Sequence, residues 1–282
     1  MEFVLYFLIF LLGAIIGSFL NVLVVRLGTG MGYGKRSFCF TCGRQLRPYE
    51  LVPIVSFLIQ KGKCRSCKSK ISWQYPTVEL LSGVVFWAVC IKLFPSAIFV
   101  SSIFNFQFSI FNTVLFVYYA VVFSLLLAIS VYDIKHKIIP NQFVYPFIAL
   151  SFLSVLGIEN WILIENWSLK IENLIAGPAL FAPLALLWFV SRGRWMGFGD
   201  AKLALGIGWL LGLSQGGAAF FISFWAGALV GIFLISMRIF FPLLFEGKPY
   251  TIKYEIPFGP FLAFGAFLAY FLNIEFFHLM FL

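Results

Sequence analysis

The sequence predicts an all-α polytopic membrane protein, with about eight transmembrane helices and a small basic insert between the first and the second. Three observations carry that expectation. Hydrophobic residues make up 62% of the 282 and charged residues only 11%, far from the balance of a soluble domain. The 37 Phe and 8 Trp bring more apolar surface than a soluble core of this size can hide. Finally, apolar runs suited to a bilayer core, about 17–25 residues each, recur along the chain.

The first run covers residues 3–25. The stretch from Met1 to Val25 has Glu2 at its start, lacks a basic leading region and meets no A-x-A-like cleavage site, so it reads as a retained helix rather than a removed signal peptide. Further runs cover 78–94, 113–132, 142–158, 171–190, 202–213, 217–239 and 258–274. The sixth is the shortest, about 18 Å long at 1.5 Å per residue, and is rich in glycine (Gly206, Gly208, Gly212). Residues 95–112 are apolar but full of Ser and Asn, and read as a surface-lying connector or part of a crossing. Residues 159–170, with Trp161 and Trp167, read as an interfacial loop held by an aromatic belt.

Charge sets the expected orientation. The formal net charge is +9, and ten Lys/Arg fall within Arg26 to Tyr75 against one acid, Glu50. In a soluble chain such a stretch would suggest nucleic acid. In a membrane protein it predicts a cytoplasmic segment, lying against anionic lipid. With the N-terminus outside, 18 of the 20 basic residues fall inside, and only Lys92 and Lys170 fall outside. Membrane lipid is therefore an expected partner, and nucleic acid is not.

The basic insert carries Cys39-Phe-Thr-Cys42 and Cys64-Arg-Ser-Cys67. Paired CxxC turns each offer two thiolates to one face of a tetrahedron, the pattern of a structural zinc site. A disulfide pair is the competing reading, disfavoured in the cytoplasm. An insert of about fifty residues has little core of its own, which gives a metal a structural purpose. Cys39, Cys42, Cys64 and Cys67 are thus the expected ligands of Zn2+, and Cys90 in an apolar run reads as a packing residue. The run from Gly28 to Gly34 follows a membrane helix rather than a strand, and reads as a flexible linker, not a phosphate loop.

The sequence holds only two aspartates, Asp133 and Asp200. Each stands where an apolar run meets basic residues, and an ionisable group in such a place is a functional-site hypothesis by default. Two membrane crossings between them would put both carboxyls on one face. A desolvated carboxyl pair does not easily ionise twice, leaving one base beside one acid, the pair that peptide hydrolysis by water needs. Gly197 and Gly199 read as permitting close backbone approach. Lys202 reads as either an interface anchor or a charge beside Asp200, whose plainer role would be a helix N-cap. Asp133 could equally pair with Lys135, His136 or Lys137. Ser18 and Asn21 are expected to hydrogen-bond a neighbouring helix or to touch substrate. A serine–histidine mechanism lacks a G-x-S-x-G elbow, His278 falls at the outer end, and no H-E-x-x-H is present. A transporter with paired carboxylates and a non-enzymatic scaffold remain rival classes.

Taken together, these pieces resemble the type IV prepilin peptidases, bacterial leader peptidases that also N-methylate their product. The likeness runs through Gly17-Ser-Phe-Leu-Asn-Val22 with Arg26-Leu27, both CxxC pairs, Gly62-Lys-Cys-Arg65 and Ile71-Ser-Trp-Gln-Tyr-Pro-Thr-Val-Glu-Leu-Leu81. It continues through Asp133, Ile139-Pro-Asn141, Gly197-Phe-Gly-Asp-Ala-Lys202 and Ile256-Pro-Phe-Gly-Pro260. The resemblance implies cleavage of the basic leader of prepilins and pseudopilins after a glycine, at the cytoplasmic face of the bacterial inner membrane. It implies methylation of the new N-terminus with S-adenosylmethionine, associated with the insert. Asp133 and Asp200 match the family's catalytic aspartates, with Gly197, Gly199 and Lys202 supporting them. The implied divisions are a first helix over 1–25, a zinc insert over 26–77 and a peptidase domain over 78–282. Phe40, where proline is frequent, and the Gly28–Gly34 run depart from the pattern within the insert, so cleavage without methyl transfer is the alternative.

Overall fold

The structure is a computed structural model that describes residues 2–32, 34, 36–94, 106–156, 167–240 and 256–276. Among them the regular structure is helical, apart from two isolated β-bridges in the insert. The chain divides into two compact units, residues 1–128 and 129–282.

The first unit is built on α1 (Glu2–Arg26) and α3 (Gln74–Leu93), which pack along each other. Their close approach has a local cause. A Cβ at Gly13 would stand 2.7 Å from the Ser82 carbonyl, and one at Gly17 would stand 2.8 Å from the Glu79 Cα. Gly13 and Gly17 form a G-x-x-x-G step, the small-residue spacing that lets two apolar helices touch backbones in lipid. Asn21, 1% exposed, donates from Nδ2 to the Tyr75 carbonyl at 3.2 Å, so it braces α1 to α3 as expected. Between these helices the insert holds a short 3-10 turn (Pro48–Glu50) and α2 (Val55–Ile59). The linker after α1 is pinned by Arg26, whose guanidinium donates to the carbonyls of Gly32 (2.8 Å) and Arg36 (3.3 Å). The long helix α4 (Phe106–His136) begins in this unit, where Phe116 meets Phe86 edge-on at 5.9 Å.

The second unit takes the last turns of α4, then α5 (Asn141–Val155), α6 (Trp167–Ser191), α7 (Phe198–Phe240) and α8 (Gly259–Leu272). Helix α7 is its centre and packs on α5, α6 and α8. At 43 residues α7 would be about 65 Å long if straight, twice a bilayer core. It is broken at Gly212, where φ 75° and ψ −177° leave the helical region, a conformation open to glycine. The Asn173 side-chain oxygen of α6 sits 2.9 Å from where a Gly212 Cβ would stand. The sequence placed a gap after residue 213; the chain instead stays helical on both sides of Gly212.

Among the described residues five helices are long and apolar enough to cross a membrane: Phe3–Arg26, Gln74–Leu93, Ile110–His136, Ile171–Ser191 and Phe198–Met237. Two shorter apolar helices, Asn141–Val155 and Gly259–Leu272, lie beside them. With α7 divided at Gly212, each of the eight apolar runs read from the sequence has a helix over its described residues, short of a few at the ends. Their outer faces are inverted relative to a soluble protein: Phe3, Phe7, Ile15, Phe189, Trp225 and Ile232 are all more than half exposed, a surface suited to lipid. Pro146, Pro178 and Pro183 lie within helices, as membrane helices tolerate. Of the connector expected over 95–112, residues 106–112 belong to α4 and the rest lie outside the described residues. Of the interfacial loop expected over 159–170, residues 167–170 belong to α6, and residues 159–166 lie outside the described residues, as does His278.

Candidate active site

Asp133 sits in the last turn of α4 and Asp200 in the first turn of α7, 4% and 8% exposed. Asp200 is the third residue of its helix and not its cap, where the helix dipole favours an anion. Asp133 Oδ2 accepts a hydrogen bond from the Gly259 backbone N–H, at the start of α8, at 3.1 Å. The Asp200 N–H donates to the Gly197 carbonyl at 3.2 Å. The two carboxyls lie within electrostatic range of each other.

Ile139 keys the two sides together. A Cβ at Gly199 would stand 2.8 Å from the Ile139 Cβ. One at Gly259 would stand 2.7 Å from Asp133 Oδ2 and 3.4 Å from the Ile139 Cδ1. Gly199 and Gly259 are therefore both lacking a Cβ where the backbone passes closest. Gly197 is less crowded, with the nearest atom, Asp200 Oδ2, at an ordinary 3.5 Å. After Ile139, Pro140 adopts φ −76° and ψ 129° and caps the start of α5. Lys202 does not form an ion pair with Asp200 among the described residues. Its Nζ donates to Asn141 Oδ1 (3.0 Å) and the Tyr145 hydroxyl (3.1 Å), and lies over the Tyr145 and Phe198 rings. His136 stacks on Tyr132 at 4.3 Å. A buried pair of carboxyls, one held by a backbone donor, is equipped to share a proton and to move it.

In the other unit, the four cysteines of the insert form a cluster. The sulfurs of Cys39, Cys42, Cys64 and Cys67 all lie within 4.8 Å of one another. Two turns of the same design build it. The Cys39 N–H donates to the Arg44 carbonyl and the Gly43 N–H to the Cys39 carbonyl. The Cys64 N–H donates to Ser69 and the Lys68 N–H back to Cys64 in the same way. Gly43 (φ 69°) and Lys68 (φ 59°) hold matching left-handed positions. Cys39 and Cys67 stand 3.8 Å apart, far beyond a disulfide bond of about 2.05 Å. A tetrahedral zinc with sulfurs at about 2.3 Å would set them about 3.8 Å apart, so the cluster is compatible with zinc. The Cys42 and Thr41 backbone N–H groups draw the Cys39 thiol down to about 6, and the Ser69 hydroxyl and N–H hold the Cys67 thiol below its ordinary value. Both favour the thiolate that a metal needs.

Residues 11–93 match the family described as the bacterial peptidase A24 N-terminal domain, and residues 120–232 match the type IV leader peptidase family. The chain is 34% identical over 267 residues to the prepilin leader peptidase/N-methyltransferase of Bacillus subtilis, covering 93% of this chain and 92% of that one. It belongs to the type IV leader peptidase family. The protein of the same name from Pseudomonas aeruginosa is 28% identical over 288 residues, 92% of this chain and 87% of the relative. That from Vibrio cholerae is 31% identical over 227 residues, 76% and 80% of the two chains. No solved structure matches the chain. With five helices among the described residues apolar and long enough to cross, this leader peptidase family member is a bacterial membrane protein.

Several residues around the leader peptidase family motifs were not singled out in the sequence. Gly259 was visible only as part of Pro257-Phe-Gly-Pro260, with nothing to say that its N–H reaches Asp133, 126 positions earlier. Ile139 reads as an ordinary apolar residue, yet both glycine backbones close on its side chain. Tyr145, which holds Lys202 together with Asn141, lies four residues beyond it, the spacing that puts two side chains on one helix face.

Proposed function

We propose that this protein cleaves the leader of prepilins and pseudopilins with Asp133 and Asp200, and N-methylates the new N-terminus with S-adenosylmethionine. The observation that carries the reading is the pair of buried carboxyls at one end of the second unit, within electrostatic range and flanked by Gly199 and Gly259. The names of the relatives support both activities. One carboxylate takes a proton from water as it attacks the scissile carbonyl, and the protonated partner hydrogen-bonds that carbonyl and then delivers its proton toward the departing nitrogen. The Gly259 N–H fixes Asp133 Oδ2, so the acid and base keep their geometry through the proton exchange. Gly197, Gly199 and Lys202 shape the surrounding backbone and the start of α5.

The domain division proposed is a first helix over 1–25, a zinc insert over 26–77 and a peptidase part over 78–282. The four cysteines hold Zn2+ as a structural ion, and the basic insert and both aspartates face the cytoplasm, in keeping with the distribution of Lys and Arg. Incubating purified protein with a full-length prepilin and S-adenosylmethionine tests the whole reading. Mass spectrometry should find a leader removed and a methyl group on the new N-terminus; an uncut substrate would reject it.

A further inference from the structure

The first unit contains a cavity of about 340 Å³ that the cleavage reaction does not use. It lies beneath the four-cysteine module, against the last turns of α1 and the first turns of α3. That volume falls in the range of small-ligand sites, about 300–1,000 Å³. Its apolar walls include Val22, Val25, Leu46 and Phe57, and its buried polar side chains are Asn21, Arg26, Glu50 and Glu79.

Three of those four polar groups have structural work. Asn21 braces α1 to α3, Arg26 holds the linker carbonyls, and Glu50 is bound by Arg44 and by the Arg47 N–H at 2.8 Å. Glu79 differs. It is 7% exposed and forms no ion pair among the described residues. Its Oε2 accepts from the Ile54 backbone N–H at 2.7 Å, and the Ser18 hydroxyl also donates to it. Ile54 presents that N–H from φ 61° and ψ −53°, a conformation a β-branched residue rarely adopts. Backbone held against its preference concentrates at functional sites. Here the strained residue aims its donor at a carboxylate that has no cation of its own among the described residues.

We propose that this cavity is the site of methyl transfer, and that the Glu79 carboxylate takes up the proton of the pilin's new α-amine. The inference rests on the bifunctional reading above and adds its place and its base. S-adenosylmethionine supplies, when bound, a methyl group on a positively charged sulfur. A peptide α-amine has a pKa of about 7.7–8.0 and must give up a proton before its lone pair can attack. Glu79 accepts that proton, the nitrogen–carbon bond forms, and the carbon–sulfur bond breaks with its electron pair going to sulfur as a neutral thioether. Both reactants enter as cations, so a buried carboxylate that forms no ion pair among the described residues offsets the charge brought together. Ser18 and the Ile54 N–H hold the carboxylate in place, and the apolar walls suit an apolar N-terminal residue.

The test uses the purified, zinc-loaded full chain with a prepilin and S-adenosylmethionine, following cleavage and methylation separately by mass spectrometry. Glu79→Gln should cleave the leader normally, which also reports that the sample is folded, and should bind S-adenosylhomocysteine in calorimetry as the unsubstituted protein does. Its methylation should fall by roughly 100-fold near pH 7, the size of a lost general base. The rate should recover as the pH rises past 8, where the amine loses its proton unaided. Ser56→Trp, which fills the cavity, should lose both S-adenosylhomocysteine binding and methylation while still cleaving. Normal methylation by Glu79→Gln with an unchanged pH profile, or undiminished binding by Ser56→Trp, overturns the assignment and leaves the bifunctional reading standing. An unsubstituted protein that cleaves but never methylates overturns both.

Discussion

The backbone N–H of Gly259 donates to Oδ2 of Asp133 at 3.1 Å, tying the start of α8 to the end of α4 across 126 positions of sequence. A Cβ at Gly259 would stand 2.7 Å from that same oxygen. The contact therefore needs both the donor and the absence of a side chain. Gly259→Ala is expected to push Asp133 out of place and to lower the kcat for leader cleavage by roughly 10-fold to 100-fold, the scale of a displacement of about an ångström at a reacting centre. Gly197→Ala, where the nearest atom stands at 3.5 Å, should cost much less. Steady-state cleavage kinetics of the two variants give the comparison, and equal losses would remove the special place assigned to Gly259.

Asp133→Asn and Asp200→Asn should each abolish leader cleavage while the protein stays inserted and folded. Asn keeps the shape and can still accept the Gly259 hydrogen bond, so a purely structural aspartate would survive the change. One carboxyl cannot serve as acid and base together, so the double variant should be little worse than either single one. Near-normal cleavage by Asp133→Asn, measured on the same prepilin, would end the two-aspartate mechanism.

About one zinc per chain is expected, lost on changing Cys39, Cys42, Cys64 or Cys67 to Ser. Because the insert has little core of its own, metal loss should unfold it and depress methylation before cleavage. Metal analysis beside the two activity assays decides this. Protein that is metal-free yet holds a Cys39–Cys67 disulfide would contradict the cluster as described.

Glu50 gives the insert an acid sensitivity of its own. The Arg47 backbone N–H first, then the Arg44 and Arg65 guanidinium groups, hold its carboxyl below the ordinary glutamate value. A carboxyl with a lowered folded-state pKa contributes stability that is fully present above the unfolded value and is lost as the pH falls through the folded one. Glu50→Gln should therefore speed amide hydrogen exchange in residues 39–70 at pH 7, with the difference from the unsubstituted protein shrinking below about pH 4. A difference that grew on acidification would have the wrong sign.

Reporters fused within residues 44–62 and 192–194 should both signal the cytoplasm, and one within 160–166 the outside. An outside signal from the 192–194 fusion would separate the two aspartates across the membrane and sink the dyad.

Composition and spacing made some of this legible and not the rest, for physical reasons. Asp133 and Asp200 stand out because no other aspartate competes with them in an apolar chain. The cysteine cluster follows from two short local turns, so its spacing alone announces it. Hydropathy marks each apolar run but cannot see that α7 continues through residue 213, because a single glycine with positive φ breaks a helix without any polar residue. Gly259 and Ile139 act through tertiary closeness, which no local pattern encodes. The cavity beside Glu79 is a void, and hydropathy and helical periodicity do not report voids. Ile54 is the extreme case, since its residue type argues against the conformation it adopts.

The break at Gly212 also bears on how the second unit sits in membranes of different thickness. An interrupted helix leaves backbone groups without their helical partners, and the Asn173 side chain of α6 lies against that interruption. Sliding α6 along α7 by one turn would carry the amide away from the gap and lose that contact. The pair thus behaves as a detent: α6 and α7 meet a thinner or thicker bilayer by tilting together, in fixed register, rather than by shearing past each other.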